Sequence, residues 1–441
     1  MDKRKDNVVR LTALLAAAVL LATGCRGGDD GGGGGDAAEE EGGIATDVGV
    51  TEEACPEAVN ADNGCIYLGT ISDLTVGPFA ALGKPITDAQ VAFWRTVNED
   101  GGIGGYDIDV TTYVRDNQYN PEIHNQVYRE IKPDVLALAQ TLGSPTTAAI
   151  IDDMEASDVV GAPASWTSGN MFEDVILESG TNYCFEAMNA LDWAVQEYGV
   201  QSVMAVHLPG DYGDDAAAGM KYAAEQAGLQ FTDVETQSGQ TNQAGAIQAI
   251  VGQQPDLVFV TTGPTDLAVI VGQAAAAGYQ GRFIGSSPTW NPGLLASPAA
   301  PALQALYHQA GPWATYDTDT PGHQAMRDAL GSGVQGNDGY TSGWVWSYPL
   351  KAALEQAADN GDLTRAGLVE AIGQLESVDY QGMLPEGAGN FSGEPNETVF
   401  RESVISVPDP ASSAGVRVIQ DFFVSPTAEE YELNAPCYQN T

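Results

Sequence analysis

Residues 66–115, IYLGTISDLTVGPFAALGKPITDAQVAFWRTVNEDGGIGGYDIDVTTYVR, spell one complete strand–helix–strand unit. IYLGTIS, from Ile66 to Ser72, is apolar enough for a strand buried on both faces. Thr87 followed three residues later by Gln90 has the spacing of a capping box, and Val91, Trp94 and Val97 then fall on one helical stripe. The helix is expected to end in NEDGGIGG. Tyr106 to Arg115 then sets Ile108, Val110, Thr112 and Val114 against Asp109, Thr111 and Tyr113, an alternation of period two. Asn120 with Pro121 behind it predicts the capped start of a second helix.

Outward from that unit the same change of period recurs. Strands are expected at DVLALA from Asp134, DVVGAP from Asp158, SVMAVHL from Ser202, LVFVTT from Leu257 and RFIGSS from Arg282. Helices are expected from Pro145, Asp214 and Thr265. A further helix carries GWVWSYPLKAALEQA from Tyr340, where Pro349 either kinks it or marks its true start. Thr398 to Val424 reads as strands around a turn at PDPASSAG. Such a series defines an α/β fold built on mostly parallel sheets.

Ahead of it, Leu11 to Cys25, LTALLAAAVLLATGC, follows Lys3, Arg4, Lys5 and Arg10 and has the length of an export signal. It is short for a membrane span. Cys25 is then either the lipidated first residue of an anchored protein or a chance cysteine behind a plain secretory signal, and both place the chain outside the cytoplasm. Residues 25–54 are rich in glycine and acid and read as a flexible tether, with the folded part starting near Cys55. Roughly 385 residues remain, enough for two lobes.

With 17 Lys and Arg against 60 Asp and Glu, the formal net charge is −43. Nucleic acid is a very poor partner for such a surface. The acid fits either a salty habitat, where screening relieves self-repulsion, or a merely acidic secreted protein. Beyond Cys25 four cysteines allow three pairings. Cys55 and Cys65 enclose only PEAVNADNG, a run of turn residues, so a local bridge is the economical pairing and leaves Cys184 with Cys437. His124, His207, His308 and His323 form no ligand motif, so neither a metal nor a cofactor is expected.

Taken together, IYLGTISDLTVGPFAALG, NEDGGIGGYDIDV, RDNQYNPE, TLGSPTTAAI, VGAPAS, VHLPGDYGDDAA and GQAAAAGY, in that order behind an export signal, resemble the periplasmic solute-binding proteins of ABC importers, of the branched-chain amino acid and amide type. The resemblance spans Ile66 to about Ser406. It implies a type I periplasmic binding fold: two Rossmann-like lobes joined by three hinge crossings, holding a small solute in the cleft, delivering it to permease subunits, and working as a monomer. Lobe one would comprise residues 55–179 plus 313–397, and lobe two 180–312 plus 398–441. Cys184 and Cys437 then share a lobe, which supports their pairing.

Ligands of parallel α/β sheets sit beyond the carboxyl ends of the strands, where helix N-termini present free N–H groups. Ser144-Pro145, Gly263-Pro264 and Ser287-Pro288 are loops of that kind, with Ser144 as the first expected contact and donors from Thr146 and Thr147, beside Thr141, facing the cleft. By resemblance, Ala164 to Trp166 match a carboxylate-holding segment and Tyr212 a cleft tyrosine, while Leu82 replaces an aromatic. Phe79, Trp166 and Trp290 are candidate walls, Trp166 alternatively lobe-one core. The alignment places Ser287 where leucine-type members carry an acid and Gly263, after Thr262, where another tyrosine would sit. An ammonium on the solute would therefore need Asp211, Asp214 or Asp266 as its partner; otherwise the solute is an amide, a carboxylate or another partly apolar molecule.

GxSxG, GxxxxGK[ST] and a GxGxxG behind a strand are all missing from the sequence, and GGIGG at Gly101 precedes a strand, so an enzyme is not expected. A ligand-sensing surface lipoprotein is the alternative to a transport component, because receptor ectodomains reuse this fold.

Overall fold

The computed structural model describes residues 43–439; the expected signal segment 1–24, Cys25 and the tether up to residue 42 lie outside them. Order begins earlier than Cys55. Strand β1 (Ala45–Thr46) pairs in parallel with β12 (Asp362–Leu363), and β2 (Val50–Thr51) lies antiparallel to Ile66 and Cys65. This corrects the expectation of a tether running to residue 54. The segment has little of its own to bury, but it borrows ladder bonds from the body, with Gly49 O accepting the Tyr67 N–H at 2.7 Å. Gly49, at φ +82°, passes so close to the backbone of Leu136 that no Cβ would fit.

The first sheet is centred on β3 (Gly64–Ser72). β4 (Tyr106–Asp116) and β5 (Ala137–Leu142) pair with it in parallel on either side, and β6 (Gly161–Ala164) extends the sheet beyond β5. Helices α1 (Ala80–Glu99), α2 (Pro121–Ile131), α3 (Ser144–Ala148) and α4 (Ile151–Glu155) alternate with these strands. Asn120 caps α2 as expected, its side chain accepting from the N–H groups of Glu122 and Ile123. Helix α1 starts seven residues before the expected capping box. Asp73 accepts the Gly77 and Phe79 N–H groups and so organises the entry, and Gly83 brings the helix against the carbonyl of Asp73 where a Cβ could not fit. Thr87 is therefore interior. Its hydroxyl bonds Gly83 O and Gln140, and Gln90 Nε2 reaches Ala139 O at 2.6 Å, fastening α1 to β5 instead of capping it.

The second sheet has seven strands in the order β14-β13-β11-β10-β9-β7-β8. β7 (Ser202–His207), β8 (Gln230–Glu235), β9 (Leu257–Thr261), β10 (Arg282–Gly285) and β11 (Tyr307–Gly311) run parallel, and the hairpin β13 (Ser403–Pro408) and β14 (Val416–Phe423) closes the edge antiparallel. Its helices are α5 (Tyr183–Tyr198), α6 (Asp211–Ala227), α7 (Ala244–Gln253), α8 (Pro264–Ala276) and α9 (Ala300–Leu306). The chain then continues through α10 (Pro321–Leu330), α11 (Asp338–Val345), α12 (Ser347–Asp359) and α13 (Arg365–Ile372). Pro349 is the third residue of α12, so it marks a start, not a kink. Helix α5 escapes a stripe-based reading because every residue from Tyr183 to Leu191 is buried, leaving no polar face to set the period.

Three chain segments run side by side between the two sheets. Gly180, at φ +92°, packs on Pro312, and the Thr181 hydroxyl bonds Glu402 O. Tyr380 OH donates to Ser179 Oγ at 3.0 Å beside them. Both disulfides form as the sequence suggests, Cys55–Cys65 and Cys184–Cys437. Among the described residues no helix is long and apolar enough to cross a membrane.

Candidate solute cavity

Loops from the carboxyl ends of both sheets converge on one cavity, about 560 Å³ of empty space counting its open mouth. Phe79 and Leu82 follow β3, Tyr119 follows β4, Ser144 follows β5, and Ala164 and Trp166 come from the end of β6. From the second sheet come Tyr212 after β7, Ser287 and Trp290 after β10, and Trp313 after β11. Helix α11 and its junction with α12 complete the wall with Asp338, Ser342 and Trp346. Eight aromatic side chains make the lining predominantly apolar, as in sites for small organic molecules.

Of the residues singled out from the sequence, Ser144, Ala164, Trp166, Tyr212, Phe79, Leu82, Ser287 and Trp290 line the cavity. Thr141, Thr146, Thr262 and Gly263 do not. Thr141 Oγ1 bonds His124 Nε2 and Thr147 Oγ1, and Thr146 Oγ1 turns back to Leu142 O and to Gly143 O at 2.9 Å. The expected donors Thr146 and Thr147 therefore stabilise the turn into α3 and face away from the cavity, a common outcome for hydroxyls in a first helical turn. Thr262 bonds the next carbonyl, and Gly263 is held against Pro78 with no room for a side chain.

Ser144 Oγ is buried and has no hydrogen-bond partner in the protein. So is the indole Nε1 of Trp346. An orphaned donor in a dry cavity costs free energy unless a ligand supplies the missing acceptor. Trp166 is both wall and core: Nε1 donates to Ser179 O at 2.8 Å, and its ring lies 4.8 Å from Trp313 and 4.9 Å from Trp346. Trp290 is fixed likewise, donating to Ala414 O and stacking on Tyr307 at 5.6 Å. Tyr119 lies 4.7 Å from Phe79 and brings an aromatic ring to the wall that Leu82 shares.

The electrostatics are one-sided. No Lys, Arg or His faces the cavity among the described residues. Asp338 does, its Oδ1 accepting the Tyr316 N–H at 3.0 Å; burial pushes its carboxyl up to about 7 against that bond. Behind Ser287 stands Glu186, fully buried, with Oε1 accepting the Ser287 N–H at 2.9 Å and Oε2 without a partner. Burial raises Glu186 well above the usual carboxylate range. The aspartates singled out from the sequence lie elsewhere: Asp211, pushed up to about 6 by burial, Asp214 at Gly210 N–H and His207, and Asp266 at the Gly239 N–H.

Sequence patterns carried no mark of Tyr119, Tyr183, Trp313, Asp338 or Trp346 as cavity residues. Trp344 and Trp346, two apart, separate because Trp344 packs on Phe93 at 5.1 Å while Trp346 turns to the cavity. Among the described residues the tight His, Cys, Asp and Glu grouping is Cys184, Asp215 and Cys437, whose sulfurs are already joined to each other.

The chain belongs to the periplasmic binding protein family, whose sequence profile matches residues 66–405. Its fold is the type I periplasmic binding fold. It is similar to a fatty acid ABC transporter substrate-binding protein from Thermomonospora curvata, at 29% identity and a TM-score of 0.81 over 88% of this chain and 97% of that one. A branched chain amino acid ABC transporter protein from Thermus thermophilus, solved with bound valine, matches at 18% identity and TM-score 0.72, covering 83% and 98%. A leucine binding protein from Thermotoga maritima matches at 16% and 0.68, covering 82% and 99%. No curated protein matches the sequence.

Proposed function

We propose that this protein is the extracytoplasmic solute-binding component of an ABC importer. It captures a small, largely apolar organic solute, of the branched-chain amino acid, amide or related carboxylate class, and hands it to permease subunits. The observation that carries the reading is the enclosed aromatic cavity at the converging strand ends, with Ser144 Oγ left without a partner. The chain's similarity to a substrate-binding protein and another protein of ABC transporters supports it. Closure of two lobes, residues 43–179 plus 313–397 against 180–312 plus 398–441, is the proposed mechanism, with the three adjacent segments at Gly180, Pro312 and Glu402 as hinges. Lipidation at Cys25 would tether the monomer to the outer face of the membrane, and the two disulfides fit that oxidising location.

A thermal-shift screen against amino acids, amides, aromatic carboxylates and short-chain acids tests the reading. A solute at 100 times its dissociation constant adds about 2.7 kcal/mol and gives a clear rise in melting temperature. Compaction in solution scattering should accompany any hit. A hit without compaction removes the closure mechanism, and a panel without any hit removes solute capture.

A further inference from the structure

Asp338 is the acidic member of the cavity lining, and among the described residues no cationic side chain lines the cavity with it. It opens α11, where the Asn337 side chain accepts the Gly339 N–H at 2.7 Å and fixes the start of the helix. Its single protein partner of known geometry is the Tyr316 N–H, a neutral donor. Asp338 is partly buried, and a partly desolvated carboxylate with one neutral donor is stabilised by a positive charge placed beside it. The same enclosure presents the rings of Trp166, Trp290, Trp313 and Trp346, whose π faces attract cations. The net charge of −43 adds a field that draws cations toward the molecule and repels anions. A carboxylate solute would set a second negative charge among these rings; an ammonium meets the acid, the rings and the field together.

Resting on the solute-capture reading, we propose that Asp338 is the specificity-determining residue of the cavity and that the solute carries an ammonium group on an apolar body, bound by the Asp338 carboxylate. The acid that the sequence lacks at Ser287 is thus supplied by a different element, the first residue of α11.

Matched compounds test this directly: isopentylamine, isopentanol and 4-methylpentanoate, and phenethylamine, 2-phenylethanol and 3-phenylpropanoate, titrated into the purified protein by calorimetry. The amines are expected to bind at least tenfold more tightly than the alcohols and acids of the same shape. Asp338→Asn, which keeps the side-chain shape, should lose at least tenfold for the amines and so abolish their preference over the alcohols. The wild-type preference stands as a test of its own should the variant fold poorly. Tighter binding of the acids, equal binding of amines by the variant, or no binding of any amine overturns the proposal. In each case a hit lacking an ammonium in the thermal-shift screen leaves solute capture standing, so the two failures are distinct.

Discussion

The backbone N–H of Ser287 donates to Glu186 Oε1 at 2.9 Å, joining the loop after β10 to helix α5 across 101 residues of sequence. Ser287 lines the cavity; Glu186 lies behind it, fully buried. The carboxyl therefore sets the position of the wall. Glu186→Ala would leave the Ser287 N–H buried without an acceptor, at a cost of about 1–3 kcal/mol, whereas Glu186→Gln keeps an oxygen in place. Urea denaturation should show the alanine variant clearly destabilised and the glutamine variant close to wild type. Equal losses would mean that the hydrogen bond to Ser287 contributes little.

Trp166 has a double load. It lines the cavity, yet it donates to Ser179 O and packs against Tyr183, Trp313 and Trp346. Trp166→Ala removes a large core side chain and should destabilise the protein by roughly 3–5 kcal/mol, so lost binding in that variant reports folding as well as contact. Trp166→Phe keeps part of the ring packing but loses the indole donor and one of the two fused rings. It should retain most of the stability and weaken solute binding by a smaller factor, read by denaturation and calorimetry on the same samples. A wild-type stability for Trp166→Ala would show that the ring is wall alone.

The fold was legible wherever strands were short apolar runs between helices with caps, as at Ile66–Ser72, Asn120–Pro121 and Leu257–Thr261. It was less so where tertiary contacts override local signals. Thr87 and Gln90 imitate a cap but pin α1 to β5, and the first half of α5, Tyr183 to Leu191, is buried on all sides. For the cavity, residues following strand ends were visible because topology sends those loops to one place. Asp338 and Trp346 lie on α11 and at its junction with α12, and reach the cavity only through packing of α11 against α1, where Gly343 approaches the carbonyl of Ile86 too closely for a Cβ. No local pattern encodes that approach.

The two disulfides close loops of very different length, with sequence separations of 10 and 253. In the chain-entropy account, the longer loop stabilises by roughly 5 kcal/mol and the shorter by about 3. The longer bridge is also wired into its surroundings: Cys437 N–H donates to Ser168 Oγ at 2.8 Å, and Asp215 accepts the Ser168 N–H at 2.9 Å. Replacing Cys184 and Cys437 by serine should therefore lower the melting temperature more than replacing Cys55 and Cys65. The reverse order would show that native packing at the tail, not loop closure, dominates.

Buried carboxyls set a pH dependence whose direction follows from where their protons reside. Burial pushes Asp215 and Asp338 each up to about 7 and raises Glu178 and Glu186 well above the usual range. The unfolded chain releases these protons near pH 4, so up to about 7 the folded state holds protons that the unfolded state lacks, and stability falls as pH rises. His124, His308 and His323 act oppositely below about 6.5, because burial holds them neutral down to about 3, 4 and 4. Above 6.5 only the carboxyls remain. The urea midpoint of the ligand-free protein should therefore drop between pH 6.5 and 8, and Asp338→Asn, which removes one such proton, should lessen the drop. A midpoint that rises over that interval would mean that these carboxyls are already ionised in the folded protein.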